Sequence, residues 1–110
     1  MTVKGFYMNN LNSIILEGKT IKDSSYGFID NDKITECDFI LKCKRQEYNA
    51  GKKVEAIYNI PCRAFGNVAA NVDKILNKND VQGLRVVGLL KEADGKLWVT
   101  CEHIEYKLNI

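Results

Sequence analysis

The chain has 110 residues, of which 45% are hydrophobic and 27% are charged, and its formal net charge is +2. This length supports one folded domain with a single core. No apolar run approaches the roughly 18 residues of a membrane span, so we expect no membrane partner. The N-terminus lacks the apolar segment of a signal peptide, so we expect a cytoplasmic protein whose four cysteines are free thiols.

The first predicted element is a strand from Leu11 to Ile21, a run rich in β-branched and aliphatic residues. Polar residues border it on both sides, as expected for a strand between turns. The residues from Lys22 to Asp32 include Gly27 and a polar run at 30–32, and this composition predicts a loop.

Two further strands are predicted to form a hairpin. Polar and apolar residues alternate from Ile34 to Arg45, which indicates a half-buried strand. The turn residues Asn49-Ala50-Gly51 then lead into a strand from Val54 to Phe65. The alternation of this strand places Tyr58 on the core side. Pro61 cannot donate a ladder hydrogen bond, so we expect a local break in pairing there.

The remaining elements are a helix and a second hairpin. After Gly66, apolar residues recur at helical spacing, which predicts a helix of about three turns with Asn67 as its N-cap. Strands are predicted from Leu84 to Glu92 and from Leu97 to Leu108, joined by a turn at Asp94-Gly95. The order β-β-β-α-β-β predicts an all-β oligonucleotide/oligosaccharide-binding (OB) fold, a five-stranded Greek-key barrel with one short helix between strands 3 and 4.

Two segments carry a resemblance to a known family. The apolar run from Asn12 is closed by Gly18 and Lys19, with Asp23 four positions later, and Phe65-Gly66 leads from the third predicted strand directly into the helix. In these features the chain resembles the bacterial single-stranded DNA-binding proteins, as a divergent relative. The resemblance independently implies one OB-fold domain over residues 1–110, with residues 1–10 as a candidate N-terminal extension.

The resemblance also implies a function. It implies sequence-tolerant binding of single-stranded DNA in DNA replication, repair or recombination, by a homo-oligomer that is more often a tetramer than a dimer. We expect no enzymatic activity, no cofactor and no metal. The chain ends at Ile110, directly after the last predicted strand, whereas the family carries an acidic tail that recruits replication proteins. Either this is a tailless relative or the tail lies outside the sequence, and we expect no recruitment of replication proteins by such a tail.

Binding of this kind needs a basic groove for the backbone and aromatic faces on which bases stack. The net charge is small, so the cations must share a face, and the densest basic stretch spans the hairpin from Lys42 to Lys53. A solvated hairpin tip is the alternative explanation of that stretch. The predicted site residues are Lys19, Lys42, Lys44, Tyr48, Arg63, Phe65 and Trp98. The resemblance makes Phe65 a base-stacking position and Lys19 the basic residue after the first-strand glycine.

The chain also departs from the family pattern. Asn59 occupies the position of a stacking tryptophan six residues before the Phe-Gly pair, and the second-strand tryptophan has no counterpart, although Tyr48 lies one position further on. The last hairpin is shortened to residues 92–96. These losses predict binding that is weaker than usual for the family, or binding through another surface. Trp98, Tyr26 and Phe28 are candidates to compensate, unless they pack against neighbouring structure.

Two other functions remain open. One is a dimeric OB domain resembling the primosomal replication protein, which is also tailless and poor in stacking aromatics. The other is an interaction subunit that has lost strong nucleic-acid binding and serves assembly through its strand edges. The sequence does not distinguish DNA from RNA.

Metal binding and catalysis have little support in the sequence. The closest cysteines, Cys37 and Cys43, are six residues apart on one strand, roughly 20 Å from end to end, which excludes chelation by that pair. His103 has no sequence partner that would make it a catalytic base. We therefore expect a binding protein and not an enzyme.

Overall fold

The structure, a computed structural model, describes residues 10–20, 26–30, 33–76 and 81–108. Within these ranges lie six strands and one helix: β1 (Ile14–Thr20), β2 (Tyr26–Asp30), β3 (Lys33–Asn49), β4 (Lys52–Phe65), α1 (Gly66–Leu76), β5 (Val81–Ala93) and β6 (Lys96–Leu108). No helix in these ranges is long and apolar enough to cross a membrane. Asp23 and most of the candidate N-terminal extension lie outside the described residues.

Five of the strands form a closed barrel. The sheet order is β1-β5-β6-β4-β3-β2, and β1 also pairs with β3. That second pairing joins Lys19 to Lys42 and Thr20 to Leu41, and it closes a ring of β1, β5, β6, β4 and β3. The helix α1 follows the third strand of the ring. The predicted five-stranded barrel with one helix between its third and fourth strands is therefore confirmed.

The sixth strand corrects a prediction. The loop predicted from Lys22 to Asp32 is wrong over Tyr26–Asp30, which forms β2 and pairs with β3. β2 is not a member of the ring and lies along the first part of β3. The segment contains two aromatic residues and an isoleucine, which favour strands. Pairing with the available edge of β3 outweighs the preference of Gly27 and its polar neighbours for a loop.

The core comes from alternate residues of the ring and from one side of α1. On β3 it takes Cys37, Phe39, Leu41 and Cys43, and on the other elements Cys62, Ala64, Ala69, Val72, Ile75, Leu84, Val86, Val99 and Cys101. All four cysteines are free and buried. Burial, with smaller contributions from Asp73 and Asp38, raises the pKa of Cys37 to about 11, so its thiol is protonated at neutral pH.

Both predicted hairpin turns are present. Ala50 and Gly51 have φ angles of 52° and 78°, and Asp94 and Gly95 have 55° and 72°. Positive φ at both central residues is typical of the two-residue type I′ turn, whose twist matches that of antiparallel strands. The strands on either side can therefore pair directly up to each turn.

The β3–β4 hairpin is longer than the barrel. Its register runs without interruption from Glu36 opposite Phe65 to Asn49 opposite Lys52. β1 reaches β3 only at Leu41 and Lys42, and β6 pairs with β4 only at Cys62 and Arg63. Residues 44–57 therefore form a two-stranded arm that extends past the barrel.

Two predictions for β4 are wrong because, among the described strands, β4 has only β3 as a neighbour before Cys62. Tyr58 is 45% exposed and not in the core, because it lies where β4 has left the barrel. Its hydroxyl donates a hydrogen bond to Glu47 at 2.7 Å. Pro61 causes no break, since it pairs with Ile40 inside the continuous register. Among the described strands, pairing on the other edge of β4 begins only at Cys62, so proline stands at an edge, where it is tolerated.

Closure of the barrel depends on Gly18. At this residue β1 crosses β3 so closely that a Cβ on Gly18 would overlap the carbonyl oxygen of Lys42 and lie 3.3 Å from the Cα of Cys43. Both of those atoms belong to the backbone and cannot rotate away. The glycine that forms part of the first sequence motif is therefore required by a close approach of two strands.

We expect Gly18→Ala to destabilise the fold by about 1–3 kcal/mol, the usual cost of forcing atoms into a packed site. Urea unfolding followed by circular dichroism measures this change. Gly83→Ala is the matched control, because a Cβ on Gly83 would have one neighbour within 4 Å, the Gly18 carbonyl oxygen at 3.8 Å. Equal unfolding midpoints for the two variants would contradict the role assigned to Gly18.

Candidate nucleic-acid interface

Five of the seven predicted site residues lie on one face of the β3–β4 hairpin. Residues directly opposite each other in an antiparallel pair project to the same side. The register places Phe65 opposite Glu36, Arg63 opposite Asp38, Lys42 opposite Asn59, Lys44 opposite Ile57 and Tyr48 opposite Lys53. We call the surface formed by these ten residues the β3–β4 face. The thirteen residues from Glu36 to Tyr48 span a length of about 40 Å.

The other two predicted residues lie at the edges of this face. Lys19 is the register partner of Lys42 across the β1–β3 pairing, so the two lysines are neighbours. Trp98 lies on β6, two residues before the Thr100 that pairs with Arg63. The structure therefore brings all seven residues onto one continuous stretch of surface, and their part in binding stays a prediction.

Arg63 is held in place by acidic residues and by an aromatic ring. Its Nε and Nη2 atoms donate hydrogen bonds to the two carboxylate oxygens of Asp38, at 2.8 and 3.0 Å. A carboxylate oxygen of Glu36 lies 3.8 Å from Nε. The guanidinium carbon lies 4.3 Å from the centroid of the Trp98 ring. The hydrogen bond to Asp38 raises the pKa of Arg63 further, so the guanidinium is charged at all ordinary pH values.

This arrangement changes the role we assign to Arg63. Asp38 is only 2% exposed and Glu36 is half-buried, so the arginine charge is compensated by carboxylates from the same face. Its flat guanidinium is fixed in both position and orientation. Such a plane is suited to stacking under a base, whereas a cation that binds phosphate must carry an uncompensated charge. Sequence reasoning missed this because only the register places Asp38 opposite Arg63.

The aromatic side chains lie at the two ends of the face. Phe65 is 49% exposed at the end of β4, and Tyr48 is 78% exposed near the tip of the arm. The lysines lie between them, with Lys44 3.8 Å from the carboxylate of Glu55. The face therefore has one exposed aromatic ring at each end and lysines between them.

Trp98 is less available than its position suggested. Arg63 covers its ring, and the ammonium of Lys96 lies 5.0 Å from the ring centroid. Its Nε1 atom is buried without a hydrogen-bond partner among the described residues. Trp98 therefore supports the guanidinium of Arg63. The two further aromatic residues, Tyr26 and Phe28, lie in strand β2 and not in a loop.

Comparison with known proteins gives similarity of structure alone. No protein-family model matches the chain, and no curated protein matches its sequence. Among solved structures, a small single-stranded DNA-binding protein from Mycoplasma pneumoniae is 20% identical, with 87% of this chain and 86% of that chain covered and a TM-score of 0.59. The fold is the OB fold.

Two more OB-fold structures extend the comparison. A small single-stranded DNA-binding protein from Streptomyces coelicolor is 17% identical over 92% of this chain and 96% of its own, with a TM-score of 0.62. The protein PriB from Ralstonia solanacearum is 18% identical over 89% of this chain and 100% of its own, with a TM-score of 0.66. At these identities the likeness concerns the fold, and the site must be argued from this chain's own residues.

We expect Asp38→Asn to destabilise the protein by about 1.5–3 kcal/mol, because it removes the charged partner of a bidentate pair that is largely buried. Glu36→Gln is the control. Its carboxylate is 3.8 Å from Arg63 and partly exposed, so the expected loss is below about 1 kcal/mol. Urea unfolding of both variants measures the difference. Similar losses in both would show that the bidentate geometry is not what holds Arg63.

Proposed function

We propose that this protein binds single-stranded DNA, with little sequence preference, through the β3–β4 face. The observation that carries the proposal is the grouping of Lys42, Lys44, Tyr48, Arg63 and Phe65 on one face of one hairpin. Exposed aromatic rings and a basic surface are the two components that sequence-tolerant binding requires. The proteins from Mycoplasma pneumoniae and Streptomyces coelicolor, which share the fold, are named for binding single-stranded DNA.

The residues divide the work between them. Lys19, Lys42 and Lys44 neutralise phosphates in the middle of the face. Phe65 and Tyr48 each stack on a base, at opposite ends. Arg63, supported by Trp98 and held by Asp38, offers a flat surface close to Phe65. Phosphate contacts and stacking do not depend on the identity of the base, so the binding tolerates any sequence.

The wider role we propose is in DNA replication, repair or recombination, as a cytoplasmic, non-enzymatic homo-oligomer of single-domain subunits, with a tetramer favoured over a dimer. Assembly strengthens binding because a strand held at one subunit meets the next at a high effective concentration. A dimeric OB domain is the alternative in the same class, and PriB shares the fold.

A second candidate function is an interaction subunit without strong nucleic-acid affinity. Two observations favour it. Asn59 offers no stacking surface in the middle of the face, and the charge of Arg63 is already compensated by Asp38. If the protein binds single-stranded DNA, replacing the lysines or the exposed aromatic residues lowers its affinity. An interaction subunit shows no such dependence, and a binding titration measures the difference directly.

We expect wild-type protein to bind fluorescein-labelled oligo-dT of about 35 nucleotides and to bind the duplex of equal length poorly. Phe65→Ala and Tyr48→Ala should each weaken binding about five- to 150-fold, the equivalent of about 1–3 kcal/mol per stacked base. Fluorescence anisotropy gives the dissociation constants. Ile15→Ala, which removes an exposed apolar side chain of β1 away from the face, should bind as wild type. No binding by wild type at micromolar protein would instead favour the interaction subunit.

The salt dependence of binding should separate Lys42 from Arg63. Lys42→Gln should reduce the slope of log affinity against log salt by about 0.7, the value for one phosphate contact on a single strand. The paired variant Asp38→Asn, Arg63→Gln removes one charge of each sign, so it should weaken binding without changing the slope. Titrations at four salt concentrations provide both slopes. A lower slope for the paired variant would mean that Arg63 contacts a phosphate.

A further inference from the structure

A cleft of about 620 Å³ lies next to the β3–β4 face. Its walls come from the end of β1, the middle of β3, the start of β5 and the end of β6. We call it the β1–β6 cleft, and its lining residues are Glu17, Gly18, Lys19, Lys42, Lys44, Gly83, Leu84, Arg85, Glu105, Tyr106 and Lys107. No part of it was predicted from the sequence except its three lysines from β1 and β3.

The lining of the cleft has a higher net positive charge than the whole chain. Its lining has five cations and two carboxylates, a net charge of +3, whereas the whole chain carries only +2. The modest charge of the sequence therefore hides a concentrated basic surface. A cleft whose lining has a net positive charge attracts polyanions more strongly than the same charges spread over a surface.

Both carboxylates of the cleft form ion pairs with Arg85. Glu17 lies 3.2 Å and Glu105 3.5 Å from the guanidinium nitrogens of Arg85. Glu105 also lies 3.2 Å from the imidazole Nε2 of His103. Arg85 thus holds both acids at the wall formed by β5. The four lysines remain to meet an anion, although Lys44 also faces Glu55 on the arm.

The cleft and the β3–β4 face share residues. Lys42 and Lys44 belong to both, and Lys19 stands beside Lys42 where β1 crosses β3. Neighbouring strands lie about 4.8 Å apart, so the step from β4 across β3 to β1 covers only about 10 Å. A strand that lies across the face at Lys42 reaches the cleft within two or three nucleotides.

We propose that the β1–β6 cleft is a second binding site for the same single strand, which leaves the β3–β4 face across Lys42 and Lys19 and places its next phosphates against Lys107. This inference rests on the proposed function and adds the path that the bound strand takes from the β3–β4 face into the cleft. The recognised chemistry is a phosphodiester, and a free nucleotide carries similar phosphate groups. The experiment must therefore distinguish a continuing strand from a separate nucleotide.

The test uses Lys107, which lines the cleft and lies outside the β3–β4 face. Lys107→Glu should weaken binding of oligo-dT of about 35 nucleotides at least about threefold and reduce its salt slope by about 1, and it should leave an oligo-dT of about 8 nucleotides unaffected. A strand of about 8 nucleotides that spans both aromatic ends of the face, about 40 Å apart, has no nucleotides left to reach the cleft. Lys107→Gln should give a smaller change of the same kind.

Lys74→Glu is the matched control, because it makes the same charge change at an exposed position on α1, away from the cleft lining. It should bind both oligonucleotides like wild type. Urea unfolding should show that every variant remains folded, since Lys74 and Lys107 are both exposed.

The outcomes separate the two proposals. If wild type binds neither oligonucleotide, the proposed function and the path both fail. If wild type binds both and Lys107→Glu changes neither, or changes both equally, only the path fails. If ATP at millimolar concentration raises the unfolding midpoint of wild type but not of Lys107→Glu, while the long oligonucleotide binds both alike, the cleft is a site for free nucleotides and the path is overturned.

Discussion

The close crossing of β1 over β3 at Gly18 is the constraint on which the rest of this structure depends. Without this crossing β1 would not pair with β3, and the sheet would not close into a barrel. The crossing sets Lys19 beside Lys42 and forms one wall of the basic cleft. The other side of the barrel uses the same solution, because a Cβ on Gly88 of β5 would overlap the Thr100 carbonyl oxygen of β6 at a shift in register. Two glycines thus allow a small barrel to close tightly, and the positions of the predicted site residues follow from that closure.

The charges of the molecule fall into two kinds. Arg63 and Arg85 are each held by carboxylates, within 3.8 Å for Arg63 and within 3.5 Å for Arg85, so both arginines serve mainly to build the surface. The lysines are the charges left to meet a ligand. This division matches the chemistry of the side chains, since the planar guanidinium suits bidentate pairing and stacking, and the ammonium is a mobile point charge. It also explains how a chain of net charge +2 can present a basic surface.

Alternation in the sequence was enough to predict the core sides of β3 and β4 within the barrel, and turn residues were enough to predict both hairpins. Alternation failed at Tyr58 because it identifies the two sides of a strand but not where the strand leaves its neighbours. β2 was missed because it forms by pairing with the edge of β3, and the composition of the segment itself does not show that this edge is available. At the site, the sequence indicated which side chains share a face. It could not indicate that Asp38 lies opposite Arg63, or that the ends of β1 and β6 meet around a cleft, because both depend on register and closure.

The arm of residues 44–57 has a consequence for the energetics of any ligand it meets. A two-stranded ribbon without further strands is only marginally stable in water, and among the described residues no third strand supports this one. Its amides should exchange with solvent through local opening at a free energy well below that of the barrel. A ligand that contacts Tyr48 therefore has to order the arm as it binds, which lowers affinity through lost conformational entropy. In return, an arm that opens locally can adapt to ligands of different shape, whereas the part of the β3–β4 face around Arg63 is held rigidly by Asp38.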